Sequence, residues 1–143
     1  MECDWDVLFS PNSNFYAYGH QVFASVDGTV VLDTHTLPEN NGYNGNPKTL
    51  GGNWVVTKQV DKSILGYFHL QPAANGPANP LTKGKPVGHL GNSGSSSEPH
   101  LHLGAVVLHP TGRGVISPLT FTNLKTIGGT PVTDVPGNGL YKS

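Results

Sequence analysis

The hydrophobic positions of this chain form short runs that alternate with polar residues and are separated by turn-forming residues. Residues 20–32 contain two β-branched or aromatic runs on either side of Asp27-Gly28, and this pattern predicts a β-hairpin. Further strands are predicted at residues 53–60, 63–70, 87–90 and 100–109, and residues 117–124 are expected to close the domain. No apolar spacing of the helical period continues along the chain, so we expect no long helix.

Composition supports an all-β fold. The 143 residues include 19 glycines and 12 prolines, together more than a fifth of the chain, which favours many turns over long helices. The length fits one domain. We therefore expect a small antiparallel β-sheet or sandwich over residues 1–127, a long loop over 34–52 that borders a groove, and a Gly/Pro-rich tail over 128–143.

Charge and cysteine content exclude several functions. The formal net charge of -1 provides neither a basic field for nucleic acid nor a polybasic run for an anionic membrane. No apolar run reaches the roughly 18 residues of a membrane span. The single cysteine, Cys3, excludes an internal disulfide. Residues 1–5 lack a signal-peptide pattern, so for an extracellular or cell-envelope location we expect an export signal that lies outside this chain or has been removed.

His100 and His102 form the clearest chemical motif. In an extended strand, residues two apart point to the same face at a spacing of about 7 Å. Two imidazoles in this arrangement can share a zinc ion, or one can bind zinc while the other acts on the zinc-bound water. Pro99 disfavours a helix and favours an extended chain. An ordinary polar sheet face would also contain such a motif, so the neighbouring residues must decide between the two interpretations.

Several blocks of the chain together resemble the lysostaphin-like (LytM-type) zinc metalloendopeptidases. The Gly/Ser-rich loop that leads into Pro99-His100-Leu101-His102 is similar to that family's loop and Pro-His-Leu-His strand. Tyr67-Phe68-His69-Leu70 is similar to its Tyr-x-His-Leu strand. The blocks follow the family's order, and they lie at residues 19–31, 52–56, 67–70, 83–91 and 91–102. The resemblance implies the all-β LytM fold with long loops beside a groove.

The resemblance also implies a function, which is hydrolysis of cell-wall cross-bridge or glycine-rich peptides by a zinc peptidase. It makes His102 a zinc ligand. It makes His69 and His100 the two catalytic histidines, which position the attacking water and stabilise the oxyanion. Zinc in such a site lowers the pKa of its water to about 7. The implied partner is a peptide that lies between the loops at 34–52 and 72–82.

The resemblance is incomplete before Gly19. The family's other two zinc ligands come from an upstream His-x-x-x-Asp motif, whereas residues 9–18 contain neither histidine nor aspartate. A catalytic zinc normally has three protein ligands. Three explanations remain open: this chain lacks the ligand segment, it is an inactive binding or regulatory module, or other residues replace the two ligands.

The candidates for replacement are His20, Asp4 and Asp6. An exposed strand edge explains His20 better than a ligand role does, and a solvated terminus explains the two aspartates. A structural β domain of an extracellular or phage assembly is a further hypothesis, because charged residues make up only 12% of the chain.

Overall fold

The computed structural model describes residues 5–7, 18–40, 49–108, 111, 113–116 and 119. Every regular element within these residues is a β-strand, which confirms the predicted all-β class. The strands are β1 (Trp5–Val7), β2 (Gln21–Phe23), β3 (Thr29–Thr34), β4 (Asn53–Lys58), β5 (Ile64–Leu70), β6 (Pro86–His89), β7 (Leu101–Leu108) and β8 (Gly114–Ile116). The described part of the chain has no helix with the length and apolarity needed to traverse a bilayer.

Six of the strands form one antiparallel sheet. Its order is β1–β7–β5–β4–β3, and β8 also pairs with β7. β1 pairs with the first residues of β7 and β8 with the last ones, so the two short strands follow one another along β7. β2 and β6 form a separate antiparallel pair. β5 and β7 are therefore neighbours near the middle of the large sheet.

The hairpin predicted over residues 20–32 is wrong, because β2 and β3 belong to different sheets. β2 pairs with β6, whereas β3 pairs with β4. The turn between them is held by a distant segment: the Lys83 N–H donates to the Asp27 carboxylate at 2.7 Å, and Gly28 forms an isolated bridge with Leu81. Asp27-Gly28 does turn the chain, but the turn leads from one sheet to the other.

The remaining strand predictions can be compared directly with the elements. Those at 53–60, 63–70, 87–90 and 100–109 correspond to β4, β5, β6 and β7, although His109 itself lies outside the described residues. Of the segment at 117–124, only Leu119 is described, and it packs against the core. β1 and β8 were not predicted, since three-residue strands contain too little pattern to distinguish them from loops.

The hydrophobic core joins residues from both sheets. Its buried members are Val22, Ala24, Val55, Leu65, Tyr67, Leu70, Leu81, Val87, Leu90, Leu101 and Leu103. Side chains alternate along β7, so Leu101 and Leu103 point into this core while His102 and Gly104 lie on the opposite face. That opposite face of the large sheet, here called the open face, carries the candidate site.

Candidate metal centre

Three histidines from neighbouring segments converge on the open face. His100 directly precedes β7, His102 is its second residue, and His69 lies near the end of β5. The ring centroid of His69 is 4.7 Å from that of His100 and 5.7 Å from that of His102. One possible ligand nitrogen from each ring lies within 4.8 Å of the others. His69 and His100 are buried and His102 is half-buried, so the cluster forms a largely enclosed set of nitrogen donors.

A backbone irregularity brings His69 into this cluster. Phe68 pairs with His102 across β5 and β7, so both residues belong to the open face, and simple alternation would turn His69 towards the core. However, Asn53 pairs with Leu70 while Val55 pairs with Tyr67, so β5 has one residue more than β4 at this point. Such a β-bulge redirects a side chain.

The bulge has a cost that nearby hydrogen bonds offset. His69 has a φ of +61°, in the left-handed region that costs a non-glycine residue about 1–2 kcal/mol. Its N–H donates to the Gly51 carbonyl at 3.0 Å, and its carbonyl accepts from the Gly91 N–H at 3.0 Å. Strained backbone of this kind is concentrated at functional sites, where the surrounding structure maintains it.

Backbone carbonyls orient two of the three imidazoles. Nδ1 of His69 lies 2.8 Å from the Ser93 carbonyl oxygen, and Nδ1 of His100 lies 2.8 Å from that of Glu98. Because a carbonyl oxygen only accepts, Nδ1 must be the protonated nitrogen in each ring. The basic lone pair of the neutral ring is therefore on Nε2, the arrangement in which histidine commonly binds metal or accepts a proton.

The carbonyls that hold these rings belong to residues 91–98, here called the Gly/Ser loop. The neighbouring pair Glu39-Asn40 fixes this loop. The Asn40 N–H donates to the Asn92 carbonyl at 3.1 Å, and its side-chain amide donates to the carbonyls of Gly94 and Ser96 at 2.7 and 3.1 Å. Glu39 accepts from the Asn92 N–H at 2.5 Å. The positions of His69 and His100 therefore depend on Glu39 and Asn40, which lie outside the histidine motifs.

Asn53 and Ser93 form a buried polar network beside His69. Asn53 is fully buried, and its side chain exchanges two 2.8 Å hydrogen bonds with the backbone of Leu37. The Asn53 N–H donates to the Ser93 hydroxyl at 2.8 Å, and that hydroxyl donates to the Leu70 carbonyl at 2.7 Å. Fully satisfied buried networks rigidify the structure around them. This network fixes the Ser93 carbonyl that orients His69.

Glu39 is a carboxylate in an unfavourable environment. Burial raises the pKa of the Glu39 carboxyl above its ordinary value, and the hydrogen bond from Asn92 partly opposes this effect. Its Oε1 atom is buried and has no hydrogen-bond partner in the described structure. The folded protein therefore favours the protonated form of Glu39 more strongly than the unfolded chain does.

A Glu39→Gln variant should reveal the free-energy cost of burying the Glu39 carboxylate. The difference in stability between the variant and wild type should depend on pH. Because the folded pKa of Glu39 is raised, its stabilising contribution is complete below its unfolded pKa and is lost as pH rises through the folded value. Glutamine does not titrate. The free energy of unfolding of the variant should therefore increase relative to wild type as pH rises above the ordinary carboxyl value of 4.5, as measured by urea denaturation.

Asp61→Asn provides the control of opposite sign. Hydrogen bonds from the Ser63 hydroxyl and N–H lower the pKa of the Asp61 carboxyl. Its contribution is therefore present above the unfolded pKa and is lost as pH falls, so this variant should lose stability relative to wild type as pH rises. A pH-independent difference between Glu39→Gln and wild type would contradict the argument.

The other candidate ligands are His20, Asp4 and Asp6, and none of them belongs to the cluster that the described residues form. His20 is exposed next to β2, outside the three-histidine cluster, and its carbonyl accepts from the Leu90 N–H at 2.8 Å. Asp4 lies outside the described residues. The backbone of Asp6 in β1 pairs with that of His102.

Sequence reasoning missed the supporting residues of the site. Glu39, Asn40 and Asn53 lie in or beside stretches whose sequence predicts a loop and an ordinary strand. The only available signal was the density of Asn, Ser and Gly in these stretches, and that composition does not say which backbone groups a side chain will meet. The bulge at His69 had no sequence signal, because a histidine in a strand predicts neither a bulge nor a positive φ.

Three imidazoles that converge on one sheet face form a nitrogen donor set of the kind that binds zinc or a similar transition metal. The family comparison gives the particular class. Residues 14–112 match the model of Peptidase family M23, and the chain belongs to this family. This confirms the resemblance to LytM-type zinc peptidases that the sequence motifs indicated.

Solved structures give a more distant comparison. A zinc-containing peptidase from Vibrio cholerae is 22% identical over 69% of this chain and 26% of that chain, with a TM-score of 0.49. A variant of the catalytic domain of EnpA, a prophage-encoded M23 protein from Enterococcus faecalis, is 20% identical over 78% of this chain and 87% of that domain, with a TM-score of 0.48. This chain thus spans about a quarter of the length of the Vibrio cholerae peptidase.

Proposed function

We propose that this chain is a zinc metalloendopeptidase domain that hydrolyses peptides of the bacterial cell wall. The observation that carries the proposal is the convergence of His69, His100 and His102 on the open face of an M23-family domain. An extracellular or cell-envelope location, and a domain boundary near residue 127, are parts of the same proposal.

The donor set suits zinc. Imidazole nitrogen is a preferred ligand of zinc, and one nitrogen from each of the three rings lies within 4.8 Å of the others, so a zinc ion bound by His102 would lie beside the other two rings. We assign His102 as the ligand that the family motif implies, with His69 and His100 beside it. When bound, zinc would activate a water molecule and polarise the scissile carbonyl.

The orientation of His69 and His100 suits proton transfer. With Nδ1 donating to a backbone carbonyl, each neutral ring presents the basic Nε2, which can accept a proton from the attacking water. The same carbonyl stabilises the imidazolium that results. That imidazolium can return the proton to the leaving amine or donate a hydrogen bond to the developing oxyanion.

A second function, an inactive module that binds cell-wall peptide, is favoured by one specific observation. Residues 9–18 lack the His-x-x-x-Asp ligands that the family places before Gly19. If no other residue completes the metal site, the groove and the histidines would remain while hydrolysis would be lost.

Metal analysis together with a cleavage assay separates these functions. The purified chain is loaded with zinc, dialysed and analysed by mass spectrometry, and it is then incubated with purified peptidoglycan before and after treatment with a chelator. The peptidase should retain about one zinc ion per chain and release new amino termini, and the chelator should abolish this release. Retained peptidoglycan binding without zinc or cleavage would support the inactive module and overturn the peptidase.

A further inference from the structure

A groove runs along the open face away from the histidines. It encloses about 470 Å³, within the range of about 300–1,000 Å³ typical of ligand pockets. His69 and His102 form one end of it. The other end reaches Ile64, Val106 and Ile116 on three adjacent strands. A peptide bond held at the histidines would therefore have its neighbouring residue next to this groove.

Two opposed glycines keep the middle of the groove open. Gly66 of β5 pairs directly with Gly104 of β7, so neither of these two positions adds a side chain of its own. The ring of Phe68 occupies the space above Gly66, where an added Cβ would approach it to about 2.5 Å. An added Cβ at Gly104 would meet only the edge of the same ring, at 3.6 Å, which is an ordinary contact. Gly104 is therefore the position at which a side chain could fill the groove without disturbing the strand.

The lining predicts the chemistry of the occupant. Apart from the two histidines and Ser95, the described lining consists of apolar residues and glycines, and it contains no Asp, Glu, Lys or Arg. A charged side chain would lose its hydration there without gaining a partner. A glycine would leave the apolar walls uncovered, whereas an aliphatic or aromatic side chain would bury its surface against them.

We propose that this groove is a specificity subsite for an uncharged, apolar side chain of the peptide next to the scissile bond, with Gly104 as the residue that keeps it accessible. The inference rests on the proposed function and narrows it, because it favours peptides with a bulky apolar residue over pure glycine peptides. One missing methylene in a hydrophobic pocket typically changes discrimination by about 10- to 200-fold.

The test compares end-blocked peptides of the type Gly-Gly-X-Gly-Gly, where X is leucine or glycine. Binding to the zinc-treated chain is measured by calorimetry and by chemical-shift changes, and cleavage by mass spectrometry. Wild type should bind the leucine peptide at least about tenfold more tightly than the glycine peptide. Equal affinity for the two peptides would overturn the proposal.

Gly104→Val is the central variant, because valine suits a strand and its Cβ has room while its methyl groups enter the groove. It should abolish the preference for leucine by weakening binding of the leucine peptide at least about tenfold. Val107→Ile, which adds a methylene on the opposite face of β7, is the matched control and should keep the preference. Val106→Thr, of nearly the same shape, should weaken the preference even if Gly104→Val fails to fold.

The outcomes separate this inference from the proposed function. If neither peptide is cleaved but the leucine preference appears and Gly104→Val removes it, the peptidase assignment fails while the apolar subsite is supported. If the leucine peptide does not bind and the chain instead self-associates in a manner that Gly104→Val abolishes, the groove is a contact between two copies and the subsite is overturned.

Discussion

His102→Ala is expected to remove stoichiometric zinc and to reduce peptidoglycan cleavage by more than about 100-fold. Loss of residues that merely support a metal ligand already costs about 10- to 100-fold in affinity or activity, and His102 is assigned as a ligand itself. The side chain is only half-buried, so the fold should survive the change. Zinc content is measured after dialysis by mass spectrometry, and unfolding by circular dichroism.

His20→Ala is the matched control for this experiment. His20 is an exposed histidine outside the three-histidine cluster, so its removal subtracts an imidazole without altering the site. This variant should keep the zinc content and activity of wild type. Zinc that remains in His102→Ala but disappears in His20→Ala would reject the proposed centre and move the metal to the β2 edge.

Gly52→Ala is expected to lower the free energy of unfolding by at least about 3 kcal/mol, a large share of the roughly 5–15 kcal/mol that stabilises a domain. Gly52 has a φ of +62°, which alanine rarely adopts, and an added Cβ would overlap the carbonyl and hydroxyl oxygens of Ser93. Movement of Ser93 would break its buried hydrogen bond with Asn53 and the hydrogen bond that orients His69.

Gly84→Ala separates the two parts of this cost. Gly84 has a similar φ of +78°, but an added Cβ there would meet no atom within 4 Å. This variant should therefore show only the backbone penalty of about 1–2 kcal/mol. Both variants are measured by urea denaturation, with zinc content as a second readout. Equal losses in the two variants would mean that the contact between Gly52 and Ser93 contributes nothing beyond backbone strain.

The sequence predicted those parts of the site that depend on local alternation. His100 and His102 lie two residues apart, and that spacing alone places them on one face of β7. His69 could be assigned only through the Tyr-x-His-Leu resemblance, since regular alternation after Phe68 would have turned it inward. The redirection comes from a bulge that is held by hydrogen bonds to Gly51 and Gly91. Both glycines are distant from His69 along the chain.

Pairing between strands was harder to predict than the strands themselves. Asp27-Gly28 is a strong hairpin signal. However, the turn is held by Leu81 and Lys83, which lie more than fifty residues later and cannot be identified from the local sequence. The contacts of Glu39 and Asn40 are equally non-local. Local pattern specifies which face a side chain takes, whereas tertiary hydrogen bonds decide which neighbours it meets.

The alternation of β7 has a practical consequence for engineering this domain. Its odd-numbered early positions, Leu101 and Leu103, maintain folding, while the even-numbered positions His102, Gly104 and Val106 line the groove. A library that randomises only Gly104 and Val106 would therefore sample new substrate preferences with little loss of foldable clones. In the first part of this strand, residues that support folding therefore alternate with residues that can be varied to change what the groove accepts.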